Sequence, residues 1–225
     1  RYDAPTRTYT LGFEQHGLPT PGQPDKQPCV IPMAIGLVGR DGRALPLQLE
    51  DEAPTDATER VLVLDEAKSF FTFVNIDSEP VPSLLRGFSA PVILAESLTD
   101  AELLVLLQHD SDPFNRWEAG QRLAISCLLS SIRGEADPRQ ATLGEALLGA
   151  MRAVLRHPQL DAAFKALVLT LPDEGALAEP DAGQHGRCQP QCQLQRAPAQ
   201  QILSAVARQR GGPGQGIQVG KEKHQ

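Results

Sequence analysis

Between Arg7 and Gln15 apolar and polar positions alternate, with Tyr9, Leu11 and Phe13 on one face. A period of two is the mark of a half-buried strand. Pro19, Pro21, Gly22, Pro24 and Pro28 then mark a loop. Val30–Val38 reads as the next strand, and Gly39-Arg40-Asp41-Gly42-Arg43 as a hairpin turn, with Leu45 and Leu47 opening a return strand. Arg60–Leu64 and Ser69–Ile76 are two further runs rich in Val and Phe. A last strand is expected near Phe88–Leu94, after the proline-rich Glu79-Pro80-Val81-Pro82. Short strands separated by turn signals predict a β-sandwich over residues 1–95, with Tyr9, Leu11, Phe13, Ile35, Leu37, Phe71 and Phe73 facing inward. No Cys…Trp…Cys pattern is present, so the sandwich is Ig-like in architecture only.

From residue 97 the period changes to that of helices. Thr99-Asp100-Ala101-Glu102 is a capping box, and Asp112-Pro113 pairs an N-cap with a proline in the first turn. Thr142-Leu143-Gly144-Glu145 reads as a third start, opening a helix through Leu155 that His157-Pro158 ends. Gln159–Leu169 reads as a further helix. Three to five antiparallel helices with short loops predict a bundle or an α-solenoid.

Residues 179–225 differ in kind. They hold no aromatic residue, three acidic residues and six basic ones, so this segment is net +3 while the 178 residues before it carry −10. Only Ile202–Val206 offers an apolar patch. Too little surface can be buried to offset the entropy of ordering, and a disordered tail is expected.

Composition narrows the functional classes. The net charge of −7 argues against a nucleic-acid partner. The longest apolar runs, Leu103–Leu107 and Ala166–Leu169, are far short of a membrane span. No signal peptide follows Arg1, and the chain is read as cytoplasmic, with reduced thiols. Cys29 and Cys127 sit in apolar patterns that suit buried free thiols. Cys188 and Cys192 form a C-x3-C with no second ligand pair, which favours no metal site.

Catalytic constellations are missing. His16, His109, His157, His185 and His224 form no H-E-x-x-H, and no two lie four residues apart. His16 is read in a loop. There is no nucleophile elbow, P-loop or dinucleotide fingerprint, and Glu50-Asp51-Glu52 reads as a solvated loop. One helical segment stands out: Asp112–Gln121 carries Phe114 and the only tryptophan, Trp117, one turn apart. The favoured reading buries Phe114 and Trp117 and pairs Arg116 with Glu118 outside. The rival reading turns Arg116 toward a substrate.

Tyr9-Thr10-Leu11, the stretch Thr20–Pro28, Ile31-Pro32-Met33-Ala34-Ile35-Gly36-Leu37, Phe71-Thr72-Phe73 and Pro80–Val92 stand in the same order as in bacterial aminopeptidase N, in the domain after the catalytic one. Asp112–Gln121, Val154-Leu155 and Leu169-Thr170-Leu171-Pro172 resemble the start of its C-terminal helical domain. The resemblance covers roughly residues 1–178. It implies an Ig-like sandwich over 1–95, the first helices of an incomplete solenoid over 97–178, and a tail over 179–225 foreign to the family, for which a shifted reading frame is one explanation and a lineage-specific tail another. It further implies a zinc metallopeptidase that removes N-terminal residues from peptides. The family's H-E-x-x-H and G-x-M-E-N motifs lie N-terminal to this region. No catalytic, cofactor-binding or metal residue can therefore be carried over, and zinc belongs only to the full-length enzyme. The expected partners are the N-terminal and catalytic domains of the same enzyme, and through them peptide substrates, with no nucleic acid and no membrane. The alternative is a free-standing Ig-like and helical interaction module with no enzymatic role.

Overall fold

The computed structural model describes residues 1–178, apart from 18, 20, 23, 24, 96, 97 and 135–137, together with the strand 192–196. Seven strands come first: β1 (Tyr2–Asp3), β2 (Thr8–Gly17), β3 (Ile31–Val38), β4 (Glu59–Leu64), β5 (Lys68–Phe73), β6 (Val81–Ser83) and β7 (Ile93–Ala95). Five helices follow: α1 (Asp100–His109), α2 (Pro113–Ile132), α3 (Pro138–Arg156), α4 (Ala162–Leu169) and α5 (Glu174–Ala178). An eighth strand, β8 (Cys192–Arg196), closes the described order.

β2 is the centre of one sheet. Its Tyr9–Glu14 run pairs antiparallel with β5, register Leu11 to Phe71. The opposite edge of β2 takes β1 at Thr8–Tyr9 and β8 at Phe13–Gly17. β8 also pairs in parallel with β7, Leu194 opposite Leu94. The second sheet has the order β4-β3-β6, both pairs antiparallel. The alternating pattern drives this arrangement. Tyr9, Leu11, Phe13, Ile35, Leu37 and Phe73 are fully buried between the sheets, and Phe71 packs half-buried against them. Thr10, on the other face of β2, is held by its cross-strand neighbour, Thr10 Oγ1 to Thr72 Oγ1 at 3.1 Å.

Several expectations need correction. The turn after β3 is present, with Leu45 N donating to Leu37 O at 2.9 Å, but the return strand at Leu45 and Leu47 is reduced to bridges at Ala44 and Leu49. β6 lies inside the segment read as proline-rich punctuation. Pro82 fits because β6 is an edge strand, where a missing N–H costs no ladder bond. The expected strand at Phe88 begins instead at Ile93, after a short 3-10 turn at Arg86–Phe88. His16 lies in β2, near Glu14, and not in a loop. Cys29 is exposed, its backbone N–H held by Gln15 Oε1, because the buried run begins two residues later at Ile31; Cys127 is half-buried. Five residues of the segment read as a disordered tail form β8; Cys188 and residues 197–225 lie outside the described residues.

The helical caps follow local chemistry. Thr99 accepts from Glu102 N while Glu102 Oε2 accepts from Thr99 N at 2.8 Å, a complete capping box. Asp112 caps α2 with Pro113 beside it, and Asp161 caps α4. Thr142 does not open a helix: α3 begins at Pro138, so this threonine lies inside it. The helices bury Leu103, Leu106, Leu107, Leu123, Leu147, Val154 and Val168 in a second core. Val38 of β3 and Val81 of β6 belong to that second core, so two strands of the sandwich pack directly against the helices.

Candidate functional site

The densest buried chemistry lies on the seam between sandwich and helices. It starts from a strained backbone. Leu85, Gly87 and Phe88 all have positive φ, 55°, 59° and 53°. For Leu and Phe that region costs on the order of 1–3 kcal/mol each. Two contacts fix the turn: Leu85 N lies 3.1 Å from Met33 Sδ, and Gly87 N donates to Asp112 Oδ2 at 3.0 Å.

The turn drives Arg86 inward. Its side chain is only 4% exposed. Nε donates to Ser83 Oγ at 2.8 Å, Nη2 to Asp110 Oδ1 at 2.8 Å, and Nη1 to the exposed Glu59 at 3.3 Å. Room for the guanidinium exists because residue 36 is glycine: a Cβ there would lie 2.3 Å from Arg86 Cζ. The helices complete the network. Asp110 Oδ1 also accepts from Asp112 N, and Asn115 Nδ2 donates to Ser83 Oγ and Leu84 O at 2.9 Å each. Burial pushes the Asp110 carboxyl above its ordinary range, while Arg86 pulls it down.

Arg116 comes in beside this network. It is 5% exposed, and neither Nε nor Nη1, nor Asp110 Oδ2, has a hydrogen-bond partner among the described residues. Burial lowers the pKa of Arg116, and the charge of Asp110 opposes that shift. His109, at the end of α1, is held below its ordinary range by burial and by the Arg116 charge. Gly42, at φ +86°, leaves the space that His109 fills; a Cβ there would sit 2.4 Å from Nδ1.

The favoured sequence reading of α2 therefore fails for Arg116 and holds only in part for its aromatic residues. Arg116 is inside. Phe114 is half-buried, with the exposed Phe88 tilted against it at 4.2 Å between centroids, and Trp117, 5.6 Å from Phe114, is half-buried against the helical core. Nor does Arg116 line an open surface, as the substrate-facing reading needs. Glu118 has its carboxyl raised by burial, with Arg122 opposing. Sequence reasoning did not single out Arg86, Asp110 or Phe88. The available signal was a lone arginine in the apolar stretch Leu84–Phe88, close to a pair of aspartates around the α2 cap.

This arrangement holds two structural units together; it does not assemble a nucleophile, a base and an electrophile. Among the described residues no group of three or more His, Cys, Asp or Glu could hold a metal ion, so they do not fit the zinc that the family resemblance implies. Nor is any described helix long and apolar enough to cross a membrane.

Comparison with known proteins gives this seam a context. Residues 1–97 match a family described as a domain of unknown function, DUF3458, with an Ig-like fold. Residues 100–211 match DUF3458_C, described as ARM repeats. The chain is 36% identical over 178 residues to aminopeptidase N of Escherichia coli (strain K12), and 41% identical over 146 residues to aminopeptidase N of Caulobacter vibrioides. The chain carries the two DUF3458 domains in order, and it is homologous to one segment of aminopeptidase N. The alignments take in 79% and 64% of it, but only 20% and 15% of those relatives. It thus spans about a fifth, or less, of the length of the aminopeptidase N proteins it matches. The aminopeptidase A of Legionella pneumophila, solved in complex with aspartic acid, superposes with a TM-score of 0.60 at 26% identity, over 93% of this chain and 21% of that one. The DUF3458_C match runs past Ala178 to residue 211, across β8 and into the segment read from sequence as foreign to the family.

Proposed function

We propose that this chain supplies the non-catalytic Ig-like and first helical-repeat portions of a zinc aminopeptidase. In the complete enzyme the sandwich is a spacer and the helices form part of the wall of the substrate cavity. The enzyme's substrates are peptides, from which N-terminal residues are removed. Its zinc and general base lie outside the described residues, which contain no ligand set for the metal. The observation that carries this reading is the match to aminopeptidase N over 178 residues, through both structural units in order. A rigid spacer also makes physical sense of two sandwich valines packed into the helical core and a buried ion pair at the seam, since both resist hinge motion.

Two measurements test it. The purified chain should neither release a chromophore from alanine-linked anilides nor hold stoichiometric zinc. Escherichia coli aminopeptidase N carrying residues 1–225 in place of its own matching 178 residues should turn these substrates over. A folded chimera without turnover, or chelator-sensitive turnover by the chain alone, overturns the reading.

A further inference from the structure

β8 runs parallel to β7, with Gln195 opposite Ala95. β7 leads straight into the helices, since α1 starts at Asp100, five residues after Ala95. The chain after Arg196 therefore leaves the sheet on the side where the helical unit begins. The start of α1 lies beside the C-terminal half of α2: burial, and then the charge of Asp100, raise the Cys127 thiol. In that half of α2 stands an apolar stripe that neither core takes up. Ile125, Leu128, Leu129 and Ile132 sit at i, i+3, i+4 and i+7, on the side of the helix opposite Ala119, Leu123 and Ala124. The first three are half-buried, Ile132 is 70% exposed, and none belongs to either buried cluster.

The sequence just beyond β8 carries a matching pattern. Ala199, Ile202, Leu203 and Val206 repeat the i, i+3, i+4, i+7 spacing, with Gln200, Gln201, Ser204 and Arg208 on the other side. Pro198 suits a first turn, Arg208 and Arg210 suit a last turn, and Gly211-Gly212 is a stop. The DUF3458_C match, described as ARM repeats, ends at residue 211, where this pattern ends. We propose that residues 198–210 form a helix that lies on the Ile125–Ile132 stripe of α2. The tether is long enough: the seven residues from Gln195 to Ile202 span up to about 25 Å when extended, and they start beside Ala95. With β8 in the sheet and this helix on α2, the segment after Ala178 straps the sandwich to the helices. The strap needs no part of an aminopeptidase outside this chain, so it stands or falls apart from the function proposed above.

Amide exchange read by mass spectrometry on the full chain, over a dilution series, tests it. Isolated helices shorter than about 12–15 residues are marginal in water, so protection of amides 202–210 reports docking rather than helix formation alone. These amides should exchange slowly, while those of 214–225 exchange at the unprotected rate. Ile132→Asp changes an exposed side chain, so the fold should survive it. It should abolish protection at 202–210 and leave Tyr9–Leu11 unchanged. Ile202→Asp with Val206→Asp should speed exchange at Leu128–Ile132. Amides 202–210 as fast as 214–225 overturn the proposal. So does protection that Ile132→Asp leaves intact, which places the helix elsewhere. Protection that disappears on dilution assigns the stripe to a second copy and overturns it as well.

Discussion

Arg86 Nη2 lies 2.8 Å from Asp110 Oδ1, with the arginine 4% exposed and the aspartate side chain fully buried. One residue comes from the sandwich and the other from the end of α1, so the pair closes the seam from both sides. Removing one partner of a buried pair leaves an uncompensated charge and typically costs about 3–5 kcal/mol, whereas replacing both by apolar groups is often near neutral. Net stability is usually only about 5–15 kcal/mol. Arg86→Met should therefore sharply lower the urea midpoint, and Arg86→Met with Asp110→Leu should recover most of the loss. A double variant no better than the single one would show that the network acts through its hydrogen bonds to Ser83 and Glu59 instead.

Gly36 tests the same site from the backbone side. A methyl group there meets the Arg86 guanidinium at 2.3 Å. Overpacking of this kind costs roughly 1–3 kcal/mol. Gly36→Ala should destabilise the chain by about that amount, and markedly less when Arg86 is already Met. A double-mutant cycle in denaturant reads the coupling; simple additivity would place the clash elsewhere.

How far the fold could be read in advance follows from where each signal resides. The inward face of β2 and the caps at Thr99 and Asp112 are local, set by residues a few positions apart, and the structure has them. Thr142 carried an equally good cap signal and is not a cap, because α3 extends back to Pro138. Arg116 was misplaced for a non-local reason. Helical periodicity gives a stripe its members but does not say which side faces the core. Here the buried face is the one that packs on α1, where Ala119, Leu123 and Ala124 share a core with Leu103, Leu106 and Leu107, and Arg116 lies on that side with Asp110. β8 has no apolar alternation to announce it, and its placement depends on the free edges of β2 and β7.

Glu118 gives a pH signature. Burial raises its carboxyl above the ordinary value of 4.5, so the folded state holds this proton more tightly than the unfolded chain does. The stabilisation is complete below about 4.5 and is lost as pH rises through the folded value. Glu118→Gln should therefore melt progressively higher than the parent as pH is raised from 4.5 toward neutrality, with no gain at pH 4. A constant difference across that window would mean that packing, and not ionisation, sets the effect.

The helical face is unevenly covered. Leu147 and Val154 are buried, while Leu148, Leu155, Leu167 and Leu171 are about half exposed. Repeat proteins bury such positions against the next repeat, and the matching family is described as ARM repeats. Leaving a large apolar side chain in water forgoes about 1.5–3 kcal/mol relative to burial. The isolated chain should self-associate in sedimentation runs. Leu155→Glu with Leu167→Glu should return it to monomer with little change in melting temperature. Limited proteolysis should cut α4 and α5 before the sandwich. A parent chain that stays monomeric at high concentration would show that these leucines need no cover.

β8 decides whether the segment after Ala178 contributes to the fold. It pairs with five residues of β2, Phe13–Gly17, and with Ile93–Ala95 of β7, which has no other strand partner among the described residues. Deleting residues 179–225 would strip one edge of β2 and leave β7 unpaired. Each backbone hydrogen bond contributes about 0.5–1.5 kcal/mol net, so the loss of this short ladder should lower stability measurably. It would also uncover a strand edge prone to pairing between molecules. The deletion should lower the melting temperature and speed amide exchange at Ile93–Ala95 and Phe13–Gly17, with Tyr9–Leu11 little changed. Exchange at those amides that is identical in the full chain and the deletion would return the segment to what composition alone predicts, a tail that takes no part in the sheet.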